Sequence, residues 1–367
     1  MAQTVAGFPV HDSLDNVLEE AKEGNEDFDL YREQQACVAD VAECTSGRDK
    51  AKAGWSLDKY KNIHMAEKTW NMMPRKDWYL FVDADTYVLW NSLVAWLRQL
   101  DPNEELYVGS VAYVRNFPFS HGGSGYVLSR AAMEAVVGRH PGVANKYDVG
   151  MKDECCGDYV FSKAAYDVAN ISVTNVWPTI NGEHPFSLPF GPSHWCHPIV
   201  TMHHISTEAI SAFWEWETEH YASSSAGQEP APILMKDIFD AYFVPRLQPR
   251  REDWDNYANE RFFLNFMAEG VEYDESTLQR AVKEEDKEGV EKEAHVSFEH
   301  CRRACEESKK CFQFRFKDGV CGFGFSMKLG KPVPGDGMMS GWNIDKIERW
   351  TGKRQICEEV LWPKVHD

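Results

Sequence analysis

The chain has 367 residues, enough for two domains, and 43% of them are hydrophobic, ample for a large core. A formal charge of -19 argues against a nucleic-acid backbone or an anionic membrane surface as partner. No run of about 18 uncharged apolar residues occurs, so no membrane span is expected within this sequence, and residues 1–10 lack the basic start of a signal peptide.

Taken in chain order, Leu14, Val17, Leu18 and Ala21 fall on one helical face after Asp12-Ser13, which predicts a helix. Ser56 opens a second predicted helix, with Tyr60, Ile63 and Trp70 apolar and Pro74 as its stop. Trp78 to Val82 has no polar alternation and reads as a strand buried on both faces, the pattern of a parallel sheet between helices. It runs directly into Asp83-Ala84-Asp85. A helix is predicted over 91–100, a strand over 105–110 and a turn-rich loop over 117–125. Ser129 caps a predicted helix at 130–137, and Asp158 can cap another at 159–169. Short strands are expected at 173–176 and 199–202. This alternation predicts an α/β sheet domain over residues 1–215. Residues 216–294 read as a connecting region, partly helical and partly flexible, with a Ser/Ala/Pro-rich stretch from Ala222 to Pro232 and a highly charged one over 270–294. Apolar and cysteine density returns over 295–362.

Ligands of open α/β sheets bind beyond the carboxyl ends of strands, which is where Asp83 and Asp85 fall. Two hard oxygen donors there suit Mg²⁺ or Mn²⁺ bridging to phosphate. The plainer reading of one such Asp is a helix cap. In His121-Gly122-Gly123-Ser124-Gly125, Gly122 and Gly123 let the backbone approach a ligand closely, although the same pattern serves an ordinary tight turn. Asp158 is the candidate to take a proton from an acceptor hydroxyl, with Glu154 and Asp153 behind it. His203 could complete a metal shell begun by Asp83 and Asp85. A zinc site from Cys196, His197, His203 and His204 is a rival whose spacing fits no standard pattern. Cys301, Cys305, Cys311 and Cys321 lack zinc spacing and read as a disulfide framework, hence an oxidising compartment. The sequon Asn170-Ile171-Ser172 points the same way.

The stretch from Trp78 to Leu89 and the run Gly-Gly-Ser-Gly-Tyr-Val-Leu-Ser-Arg from Gly122 resemble glycosyltransferase family 31. The resemblance is closest to core 1 β1,3-galactosyltransferases and their fungal relatives and more distant to Fringe, and it covers residues 10–215. It implies a GT-A (Rossmann-like) domain, a UDP-sugar donor, Mn²⁺, a glycoprotein or glycan acceptor, and inverting transfer, most simply of galactose, in β1,3 linkage. By the same resemblance Asp83 and Asp85 bind metal and diphosphate, His203 binds metal, and Asp158 is the catalytic base. Many relatives carry a third Asp where this chain has Ala84. The family begins with a cytosolic tail, a membrane anchor, a stem and a first strand, and this sequence starts after that point. The expected location is therefore the lumenal side of the Golgi membrane, held only through an anchor outside this sequence. An inactive relative serving as a folding partner or glycan-binding protein is the alternative, and a metal-dependent hydrolase the third reading. Residues 295–362 resemble a PAN/Apple module, a small disulfide-stapled α+β unit, which implies Cys301–Cys321 and Cys305–Cys311. The partners of Cys37, Cys44, Cys155, Cys156, Cys196 and Cys357 stay open, as do donor sugar and acceptor.

Overall fold

The protein is represented by a computed structural model that describes residues 4–37, 50–222, 230–267, 272–354 and 356–366. The Ser-rich centre of the expected flexible connection and Cys44 lie outside these residues. The architecture is mixed α/β, in two compact units. One comprises Met1–Thr86, Leu93–Gly182 and Pro363–Asp367, and the other Tyr87–Ser92 and Glu183–Trp362. No helix among the described residues is long and apolar enough to cross a membrane.

In the first unit, helices α1 (Lys50–Asp58) and α2 (Lys61–Met72) lead into strand β1 (Trp78–Phe81). Strands β2 (Tyr107–Gly109), β3 (Val111–Val114), β4 (Phe117–Ser120) and β5 (Tyr126–Ser129) follow. Helix α3 (Arg130–Met133), helix α4 (Gly157–Ala169) and strand β6 (Thr174–Asn175) come next. The sheet order is β1-β5-β2-β6. Contrary to the parallel sheet expected, β5 is antiparallel to both β1 and β2, and only β2–β6 is parallel. The uniformly apolar run misleads because β1 lies at an edge: Tyr79 is buried, Trp78, Leu80 and Phe81 are half-buried, and Val82 is exposed. Phe81 stacks on Tyr126 at 5.2 Å between ring centroids, and Tyr126 stacks on Phe161 of α4 at 5.4 Å. Each such pair contributes about 0.5–1.5 kcal/mol beyond its burial.

Half of the expected 117–125 loop is strand. β3 and β4 form a hairpin whose two turn residues, Arg115 and Asn116, both have positive φ, as a type I′ turn requires. The helix expected from Leu14 is a helix only over Glu19–Lys22. Leu14, Val17 and Ala21 are nevertheless buried, so the apolar spacing found core positions where the backbone makes turns. Ser129 caps α3 as expected, its hydroxyl accepting from the Ala132 N–H. Asn170 ends α4 in the left-handed conformation and is exposed.

In the second unit, α5 (Thr207–Ala222) runs across the domain boundary expected between residues 215 and 216. Strands β7 (Arg250–Glu252) and β8 (Arg261–Phe263) come from the stretch expected to connect. Helix α6 (Phe298–Glu307), strands β9 (Gln313–Lys317), β10 (Val320–Gly324) and β11 (Met339–Trp342), and helix α7 (Ile344–Thr351) follow. They build a fully antiparallel sheet in the order β7-β11-β9-β10-β8. Disulfides Cys301–Cys321 and Cys305–Cys311 staple α6 to this sheet, in the pairing the module resemblance implied. Cys155 pairs with Cys156, Cys196 with Cys357, and Cys37 is also disulfide-bonded. Such a set belongs to an oxidising compartment.

Candidate active site

Within the first unit, three loops meet at the end of β1. The Thr86 N–H donates to the Asp83 carbonyl at 3.1 Å, closing the carboxylate loop into a turn. The Thr86 hydroxyl donates to the Gly123 carbonyl at 2.7 Å, tying this turn to the glycine loop. The glycine loop is a short 3₁₀ turn, Gly122–Ser124, capped by the His121 ring, whose Nδ1 accepts from the Ser124 N–H. On its other side the Gly122 N–H donates to Asp158 Oδ2 at 2.7 Å. A Cβ on Gly122 would lie 3.2 Å from that oxygen, so a side chain there would press Asp158 back by a few tenths of an ångström.

Asp158 sits in the first turn of α4, where a carboxylate favours the helix dipole. Its Oδ1 accepts from the Tyr159 N–H at 2.8 Å. Burial pushes its carboxyl above the usual range, opposed by the bonds from Gly122 and Tyr159 and by His121. Gly157 permits the helix to start here. A Cβ on it would lie 2.2 Å from Asn62 Oδ1 and 2.4 Å from the Lys59 carbonyl oxygen. The two fallback carboxylates are engaged otherwise. Glu154 lies 3.7 Å from Arg115 and 3.9 Å from Lys163, and Asp153 ends an exposed 3₁₀ turn.

Asp83 is also held above the usual carboxylate range. Shielding from water is the first cause, although the residue remains solvent-accessible, and the like charges of Asp58, Asp85 and Asp158 add to it. Asp58, at the end of α1, is a member of this acidic group that sequence reasoning missed. It lies 25 residues before Asp83 with no motif around it.

In the second unit, Tyr87–Val88 is antiparallel to Thr201–Met202, with Tyr87 opposite Met202, and this strand leads into His203 and His204. The Tyr87 hydroxyl donates to Glu217 Oε2 at 2.5 Å, anchoring the pairing to α5. His203 is buried and its N–H donates to the Glu183 carbonyl at 3.1 Å. His204 is exposed, has φ +56°, and its ring lies 3.8 Å from that of His203. Left-handed backbone at a non-glycine residue costs energy and clusters at functional sites. The sequence pointed to Asp83, Asp85 and His203 as ligands. In the first unit Asp83 lies in an acidic group with Asp58, Asp85 and Asp158, and in the second His203 stands against His204. The rival zinc set is excluded, because Cys196 is in a disulfide.

Residues 32–173 match the Fringe-like family model. This span holds the carboxylate loop, the glycine loop and Asp158, and is less than half of the chain. The match supports a Fringe-like glycosyltransferase domain, consistent with the GT-A fold expected. A glycosyltransferase uses a nucleotide-sugar donor and a glycan-bearing acceptor.

Proposed function

We propose that this chain is an inverting glycosyltransferase that moves a hexose, galactose in this reading, from a UDP-sugar to an acceptor hydroxyl in β1,3 linkage, in the Golgi lumen. The observation that carries the reading is the cluster in which Thr86 binds the glycine loop and Asp158 binds it from the other side. These bonds fix a carboxylate loop, a close-approach backbone and a raised carboxyl relative to one another, inside the Fringe-like match.

Asp158 takes the proton from the acceptor hydroxyl. As that oxygen bonds the anomeric carbon, the bond from this carbon to the diphosphate oxygen breaks on the opposite face. Each Asp158 oxygen already accepts one N–H, so the bonds hold the carboxylate in place and leave a lone pair on each oxygen for the proton. A carboxyl raised by burial is a better proton acceptor than an ordinary one. Gly122 and Gly123 let backbone lie close to the donor. Asp83 and Asp85 would hold Mn²⁺, which would supply positive charge against the departing diphosphate.

Calorimetric titration of UDP, with and without Mn²⁺, tests the reading. Binding by the parent chain should be abolished by EDTA. Asp85→Ala should weaken it on the order of 100-fold, since loss of even outer-shell support to a metal costs about 10–100-fold. EDTA-insensitive binding, or binding unchanged in Asp85→Ala, would remove the carboxylate loop from the donor site.

A further inference from the structure

Within the second unit, a cavity of about 300 Å³ opens beside His204. Its walls are the segment from His184 to Phe186, the start of α5, and Tyr242 and Arg246. Phe186, Phe213 and Tyr242 give it aromatic walls, and the Phe213 and Tyr242 rings stack at 5.2 Å. Its polar groups are the His184 and His204 rings, the Ser206 and Tyr242 hydroxyls and the Arg246 guanidinium. His184 Nδ1 accepts the Phe186 N–H at 3.2 Å, which places the ring proton on Nε2 and makes that nitrogen a donor. The Arg246 guanidinium lies 5.5 Å from the Phe186 ring centroid and 5.6 Å from that of Tyr242. One of its N–H groups donates to the Tyr242 carbonyl at 3.1 Å. No carboxylate is among the lining residues, and none pairs with Arg246 among the described residues. This cationic, donor-rich cavity occurs in a chain whose formal charge is -19.

We infer that this cavity binds a pyranose ring bearing an anionic group, the ring against the aromatic walls and the anion on Arg246 and His184. The physical reasons are general. Aromatic faces hold the apolar face of a sugar ring. A guanidinium already oriented by two rings and a carbonyl loses little freedom on gripping an anion, and its planar fork matches a carboxylate. A neutral sugar would gain nothing from that charge.

The test is a saturation-transfer NMR titration of the full chain in EDTA, without donor, so that neither metal nor turnover is needed. The probes are methyl β-glucuronide, methyl β-glucoside 6-sulfate and neutral methyl β-glucoside. At least one anionic probe should bind about tenfold or more tighter than the neutral one, and the stronger of the two identifies the anion. Arg246→Ala, at an exposed side chain, should erase this preference. Tyr242→Ala should weaken all three probes. Equal affinity for charged and neutral probes would overturn the inference, as would a preference that survives Arg246→Ala or no binding at all. UDP binding with Mn²⁺ on the same sample reports separately on the donor site, so either failure is recognised by itself.

Discussion

Gly157→Ala puts one methyl group where the structure has no room. The added Cβ would lie 2.2 Å from Asn62 Oδ1, a side chain on α2, and 2.4 Å from the Lys59 carbonyl oxygen. Ordinary contact needs more than 3.4 Å, so both neighbours must yield by about 1 Å. Asn62 can rotate, but the Lys59 carbonyl belongs to the backbone between α1 and α2. Overpacking of this kind costs about 1–3 kcal/mol. The backbone contact places this case at the upper end, about 2–3 kcal/mol, which for a unit of this size lowers Tm by about 4–12 °C. The start of α4 must shift as well, carrying Asp158 away from Gly122. Since a displacement of about 1 Å at a catalytic group costs on the order of 100-fold in rate, turnover should fall by that order. Thermal unfolding followed by circular dichroism reads the first effect and transfer assays the second. The double variant Asn62→Ala with Gly157→Ala should recover only part of the loss, because the Lys59 carbonyl remains. A single variant with parental Tm would refute the close-packing argument. Full recovery in the double variant would refute the assignment of the backbone as the harder obstacle.

Two further outcomes are expected. Asp158→Asn removes the proton acceptor but retains an oxygen for the Gly122 N–H, so kcat should fall about 10²–10⁴-fold with UDP affinity unchanged; turnover within a few-fold of the parent would remove Asp158 from the role of base. Asp148 is buried, and although burial raises its carboxyl, the bonds from His64, the Leu18 N–H and Asn145 outweigh this and hold it below the ordinary value of 3.8. A carboxyl depressed on folding contributes stability that is fully present above its unfolded value and lost as pH falls through the folded one. Urea midpoints should therefore fall between about pH 4 and lower pH in the parent and fall less in Asp148→Asn, and identical acid profiles would show that this pair is not responsible.

Local chemistry was legible in the sequence wherever one short segment contains the whole signal. Ser129 read as a cap because a hydroxyl before a helix satisfies an N–H within three residues. The apolar run into Asp83 announced a strand. The resemblance to a stapled module carried the pairing of four cysteines. Burial of Leu14, Val17 and Ala21 followed from their spacing even where the helix did not form.

Tertiary structure decided the rest, because it depends on which distant segments meet. An apolar strand can be a centre or an edge, and only the pairing of β1 with β5 made it an antiparallel edge. Asp58 acquires meaning only when the end of α1 comes close enough to raise Asp83. The Cys196–Cys357 bond spans 161 residues and removes a zinc ligand that spacing alone left available. The sequence determined which groups could do chemistry, since charge, polarity and ring systems are properties of single residues. Only the fold decided which of them act together, since that requires distances, and distances between remote residues are set by packing.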